Sequence, residues 1–301
     1  MQKAVVSSGV NDHKLALIET ALAISLWAVS FVFIKIALRE VSPVTLITLR
    51  FGMAAILLGI LSAASGEMKH IYRSGLVRSA LVGAAGMTVQ QMLQVKGQVT
   101  TDAGVTAFIS SSAPAFIVLL AALFLHERLQ GWKVVGVLMA TLGAGIISTG
   151  GDLSLLKQGH VADPGSLWVL ASAIMWAVFT ILNRFVVQDQ PPALATSGVM
   201  LVGMLFMLPL FISGQGWREL SRLSVPGWES ITFVGVFGTA GAYWMYGRAL
   251  KRSTASSLAA VQNLEPLVAV AAAALMINEP ITAALLVGGA AILMGVYLAE
   301  R

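Results

Sequence analysis

The sequence predicts an all-α membrane protein, with ten transmembrane helices forming two inverted five-helix repeats. Three observations carry that expectation. Hydrophobic residues make up 57% of the 301 residues and charged residues only 11%, against about 25% charged in a soluble domain. Apolar stretches of about 20 residues, the length a bilayer core of about 30 Å demands of a helix, follow one another along the chain. The second half also repeats distinctive residues of the first.

The stretches run near Leu15–Leu38, Pro43–Ala64, Leu76–Val95, Ala103–Leu125, Trp132–Thr149, Gly165–Val187, Leu194–Ile212, Trp228–Leu250, Ala255–Ile277 and Thr282–Ala299. Most breaks between them are short. Gly150–Pro164 and Ser213–Gly227 are longer, and none leaves room for a soluble domain. The segments are apolar on every face, whereas barrel strands alternate over about ten residues. The first stretch exceeds the apolar core of a signal peptide and follows fourteen mostly polar residues, so it is expected to remain as a span. Mean hydropathy of +0.84 argues against a soluble enzyme, a nucleic-acid-binding protein or a disordered chain. The absence of Cys excludes disulfides, thiolate metal sites and Cys nucleophiles.

Lys and Arg set the expected orientation. With the N-terminus cytoplasmic, Lys3, Lys14, Lys69, Arg73, Arg78, Arg128, Lys133, Arg184, Arg248, Lys251, Arg252 and Arg301 fall at cytoplasmic ends, twelve in all. Lys35, Arg39, Lys96, Lys157, Arg218 and Arg222 fall at outer ends, six in all, and Arg50 sits inside a span. Ten spans then place both termini in the cytoplasm, with the bacterial inner membrane as the default location.

A shift of 149 residues lays Trp27-Ala28-Val29 on Trp176-Ala177-Val178, Lys35 on Arg184 and Pro43 on Pro192. A shift of 152 lays Gly83 and Gly86 on Gly235 and Gly238, Pro114 on Pro266, Glu127 on Glu279 and Gly143 on Gly295. The predicted organisation is a first repeat over 1–149, a connecting loop over 150–164 and a second repeat over 165–301. Five spans per repeat is odd, so the second copy enters the membrane from the opposite side, a plan common among secondary transporters.

Each repeat has Pro inside its fourth span and ends that span with Leu-Phe-Leu-His-Glu-Arg-Leu or Leu-Met-Ile-Asn-Glu-Pro-Ile. In this the chain resembles the EamA family of the drug/metabolite transporter superfamily, over about residues 15–299. The resemblance implies ten helices around one cavity and export of small metabolites, amino acids and aromatic ones among them.

Transport sites sit near the bilayer midplane between repeats, so polar residues deep in spans are the candidates. Gln90, Gln91, Gln94 and Gln98 largely share one face of the third span, for a cavity or for interhelical hydrogen bonds. Gln91 and Gln94 fall on Tyr243 and Tyr246, aromatic rings with polar handles suited to organic molecules. Trp27 and Trp176 lie midway along related spans, as cavity walls or as packing. Pro114 and Pro266 free the carbonyls of Ser110 and Gln262 and are candidate gating flexures. Glu265 is the carboxylate nearest a span centre, a candidate for substrate contact or proton coupling. Gly83, Gly86, Gly235, Gly238 and Gly241 are expected to let helices approach. Lys35, Lys96, Arg184 and Arg248 are expected to snorkel to the interfaces or gate the path.

The expected partners are a small organic molecule such as an amino acid, the lipid bilayer and protons as a candidate coupling ion, with no nucleic acid. No cofactor and no metal is expected. A drug or toxic-cation efflux carrier is the alternative. An enzyme would need a catalytic constellation, and His126-Glu127 lacks the second His of a zinc motif. A channel would need a filter or a continuous polar lining. No Gly-Lys dipeptide exists for a phosphate-binding loop.

Overall fold

A chain this apolar must satisfy its backbone N–H and C=O groups internally, and helices do so within a segment. The computed structural model describes residues 10–70, 76–125, 131–152, 163–186, 191–252, 261 and 264–300. Among them there are helices and no strand. The first half holds α1 (Val10–Ala37), α2 (Pro43–Ala64), α3 (Leu76–Gln98), α4 (Ala103–Ser110), α5 (Ala113–Leu125) and α6 (Gly131–Ser148). The second holds α7 (Pro164–Val186), α8 (Pro192–Ser213), α9 (Gly216–Leu220), α10 (Val225–Thr232), a π-helical segment over Phe233–Gly241, α11 (Ala242–Arg252), α12 (Glu265–Ile277) and α13 (Ala283–Glu300).

Three described helices, over Asp12–Ala37, Pro43–Ala64 and Ala193–Ser213, are long and apolar enough to cross a membrane. Shorter apolar helical stretches run over Ala103–Ile117, Val134–Ile147, Pro164–Phe179, Glu265–Ile277 and Ala283–Leu298. The fourth predicted span is two helices, because Pro114 has no N–H to continue α4 and the chain breaks at Ser111-Ser112. The eighth is α10, the π segment and α11 in series.

Helices α2 and α8 pack together, as do α6 and α13. Helix α3 packs on α7, and α1 packs on α11. The largest core cluster joins Ile34, Leu46, Phe51 and Leu58 with Met87, Phe179, Met200 and Ile231. Close approaches depend on glycine: a Cβ on Gly86 would come within 2.8 Å of Phe179, and one on Gly235 within 2.9 Å of Met53 Sδ.

At the end of the bundle where α1 stops, two connections brace each other. Ser42 caps α2 by accepting from Thr45 N–H, and its own N–H donates to Glu219 Oε2 at 2.8 Å. Ser224 caps α10 by accepting from Gly227 N–H, and its N–H and hydroxyl donate to Glu40 at 2.7 and 2.6 Å. Those bonds from Ser224 hold the Glu40 carboxyl below its ordinary pKa. Lys35 Nζ donates to the carbonyls of Gln98 and Thr101 at 3.1 and 2.7 Å, closing the C-terminal end of α3. Lys96 lies 3.9 Å over the Trp168 ring, and Arg248 4.7 Å over Trp244, each held by a nearby aromatic face. The Arg184 side chain lies outside the described residues.

Asn278 takes a left-handed conformation, φ 56, that ends α12. Glu279 then turns back onto α4, where Oε1 accepts from Ala103 N–H at 2.8 Å and Oε2 from Gly104 N–H at 3.1 Å. Asp102 occupies the N-cap position of α4 but its side chain makes no cap bond. The Asn-Glu pair of the repeated ending thus joins the second half to the first. The matching His126-Glu127 lies outside the described residues.

Candidate functional site

Polar side chains from α2, α3 and the π segment meet in the buried middle of the bundle. Arg50 of α2 is 4% exposed. Its Nε donates to Thr239 Oγ1 at 2.7 Å, and its Nη1 donates to Gln91 Oε1 at 2.6 Å. Gln91 Nε2 donates in turn to Gln90 Oε1 at 2.9 Å, and Gln90 Nε2 to Gln94 Oε1 at 3.0 Å. The three glutamines are therefore one linked set, oriented by a cation. Gln98 is not part of it: its Nε2 donates to the Phe31 carbonyl at 3.1 Å and ties α3 to α1.

Thr239 lies in the π segment and donates its hydroxyl to the Val234 carbonyl, five residues back, at 2.8 Å. A π turn adds a residue to the helical turn, and such turns recur at functional sites. Here it sets a hydroxyl oxygen against the guanidinium.

An aromatic wall stands beside this set. Trp27 of α1 meets Tyr243 edge-on with centroids 5.1 Å apart, and Tyr246 at 5.4 Å. All three rings are half-buried. Trp27 Nε1 is buried with no hydrogen-bond partner among the described residues. Glu265 is the first residue of α12, half-buried, with no ion pair among the described residues.

The other predicted residues are placed as follows. Ser110 ends α4 at the break, and its hydroxyl is buried without a partner among the described residues. The neighbouring Ser111 and Ser112 hydroxyls donate back to Phe108 and Ile109 carbonyls. Pro114 and Pro266 each occupy the second position of a helix, α5 and α12. Trp176 of α7 packs by Phe179 at 5.5 Å and makes no ring contact with the Trp27 group. Gln262 lies outside the described residues. No group of three His, Asp or Glu among the described residues could hold a metal ion.

Sequence reasoning left Arg50 unassigned and missed Thr239. Arg50 carried a signal, since a charge at the middle of an apolar span is costly and marks function by default. Thr239 carried none, because nothing in Phe-Val-Gly-Val-Phe-Gly-Thr-Ala-Gly announces a π turn.

The family profile described as the EamA-like transporter family matches the chain twice, over residues 14–149 and 163–300. An uncharacterized transporter of Archaeoglobus fulgidus is 28% identical over 93% of this chain and 97% of its own length. A probable terminal-alkyne amino-acid exporter of Streptantibioticus cattleyicolor is 30% identical, over 93% of this chain and 91% of its own. A probable amino-acid metabolite efflux pump of Escherichia coli is 24% identical, over 96% and 94%. A solved crystal structure, 20% identical, has a similar fold with a TM-score of 0.64 over 95% of this chain and 97% of that one.

Proposed function

The chain belongs to the EamA-like transporter family and is an integral membrane transporter rather than an enzyme, and from that premise we propose that it exports amino acids or closely related metabolites by alternating access. Its two halves, 1–149 and 165–301, act as inverted five-helix repeats that rock about a shared central site, joined by 150–164. The packing supports this, because exchanging the halves preserves the contacts: α3 on α7 corresponds to α1 on α11, while α2–α8 and α6–α13 map onto themselves.

The observation that carries the substrate reading is the conjunction of Arg50, the linked glutamines and the Trp27–Tyr243–Tyr246 wall. Charged, amide and aromatic groups converging at bilayer depth suit an organic molecule with polar ends. The names of the Streptantibioticus and Escherichia relatives agree with it. Ser110 stands at the break before Pro114, where a short hinge lets the interrupted span bend; Pro266 is the counterpart flexure, Gln262 a further substrate contact, and Trp176 serves the counterpart wall. The protein lies in the inner membrane of a bacterial cell with both termini cytoplasmic.

Purified protein in liposomes tests this reading. Saturable exchange of a labelled amino acid with its unlabelled form is the expected result, whether or not a pH gradient is present. Unsaturable, ion-like conductance would indicate a channel instead.

A further inference from the structure

Two charged side chains among the described residues are buried, Arg50 at 4% exposure and Glu19 at 8%. Their surroundings differ. Glu19 is balanced by two cations, Arg248 at 3.0 Å and Arg252 at 2.6 Å. Arg50 is held by neutral acceptors alone, Thr239 Oγ1 and Gln91 Oε1, and no carboxylate lies within ion-pair distance of it among the described residues. Neutral acceptors orient a guanidinium but leave its charge uncompensated, and an uncompensated charge in an apolar interior is expensive. A guanidinium has five donors in a rigid fork that matches a carboxylate bidentately. The two hydrogen bonds of Arg50 use Nε and one proton of Nη1, so the Nη edge remains for another acceptor.

Glu265 presents the opposite case, a half-buried carboxyl without an ion pair among the described residues. Glu265 begins α12, which packs on α1, the helix that carries Trp27. The Tyr243 ring packs on Trp27, and the π segment that leads into its helix carries Thr239, the acceptor of Arg50 Nε, so the helices bearing the cation, the acid and the aromatic wall adjoin.

We propose that Arg50 binds the carboxylate of the transported molecule and Glu265 its ammonium, so that the carrier reads its substrate as a zwitterion. The inference rests on the transport function proposed above. An amino acid brings one charge of each sign and balances both residues at once without adding net charge to the apolar interior. Its side chain then lies against the half-buried faces of Trp27, Tyr243 and Tyr246. The glutamine chain fixes the guanidinium before the substrate arrives, which lowers the ordering cost of binding. A simple cation would leave Arg50 unbalanced, and a simple acid would leave Glu265 so.

The test is counterflow in proteoliposomes with a matched set of competitors: L-phenylalanine, L-phenylalaninamide, phenethylamine and hydrocinnamate. A parallel set is built on L-leucine. In the wild type, every competitor lacking one charge should bind roughly 30-fold or more weaker than its parent, since truncating one partner of a buried charge pair costs that much or more. Arg50→Gln should bring the parent down to the level of its amide, with Arg50→Lys intermediate. Glu265→Gln should bring it down to the level of the acid that lacks the amino group. A wild type that accepts the amide and the amine as well as the parent overturns the Arg50 assignment without any variant. A folded Arg50→Gln protein that still discriminates as the wild type does also overturns it. Equal acceptance of hydrocinnamate and L-phenylalanine overturns the Glu265 assignment. A wild type that moves neither parent overturns the transport reading and this inference with it, whereas transport without charge discrimination overturns the inference alone.

Discussion

Arg50 Nη1 and Gln91 Oε1 meet at 2.6 Å in the buried interior. The bond joins α2 to α3 within the first half, while the Arg50 Nε bond to Thr239 joins the same side chain to the second half. One guanidinium therefore spans both halves. Any motion of one half against the other must carry this link or break it.

Thr239→Val should lower the stability of the solubilised protein by about 1–3 kcal/mol. The substitution keeps the shape but strips a buried charged donor of its acceptor. Thr239→Ser should restore most of the loss. Thermal unfolding of the three proteins in one detergent checks this, and equal midpoints for Val and wild type would contradict it.

Trp27→Ala removes two aromatic contacts, each worth about 0.5–1.5 kcal/mol beyond area burial. Transport should fall about tenfold or more, with folded yield reduced far less. Tyr243→Ala should behave alike. Monodisperse yield by size exclusion, measured beside initial flux, separates the effects. Proportional loss of both would make the rings a packing element.

Glu279→Ala should cost about 0.5–2 kcal/mol, the range for losing a helix N-cap, and Glu279→Gln less, because one acceptor remains. Burial raises the Glu279 carboxyl above its ordinary pKa, outweighing the two backbone N–H bonds that lower it. A raised folded-state pKa contributes stability that is fully present below the unfolded value, about 4.3, and is lost as pH rises through the raised value. The advantage of wild type over Glu279→Gln in unfolding midpoint should therefore shrink across that window. An advantage that grows with pH would contradict the assignment.

A reporter fused after Arg301 that is active only outside the cytoplasm should stay silent. The motive is the excess of Lys and Arg at one set of span ends. Activity of the fusion would reverse the orientation.

Much of the fold was legible because lipid leaves few options. The Ser42-Pro43 start of α2 is local chemistry and was foreseen, whereas Pro114 was expected as a flexure inside one span and instead stands just past a break between two helices. The π segment was illegible, because no local pattern in Phe233–Gly241 announces it. The site was half legible. Trp27 was chosen from its place midway along a span and Tyr243 and Tyr246 from their repeat match to Gln91 and Gln94, yet their mutual contact depends on how α1 packs on α11. Gln98 shares the spacing of Gln90 and Gln94 but serves Phe31, because it stands a turn nearer the helix end. Lys35 was expected only at an interface or as a gate, and its bonds to the Gln98 and Thr101 carbonyls depend on how α1 meets the end of α3.

Counterflow of a labelled amino acid is the most direct test of the central claim. Proteoliposomes loaded with unlabelled L-phenylalanine or L-leucine and diluted into the labelled form should accumulate label transiently above equilibrium, and Arg50→Gln should abolish the overshoot while remaining folded. Wild-type protein that shows no overshoot with any amino acid, in a preparation that is folded and correctly inserted, would contradict the account.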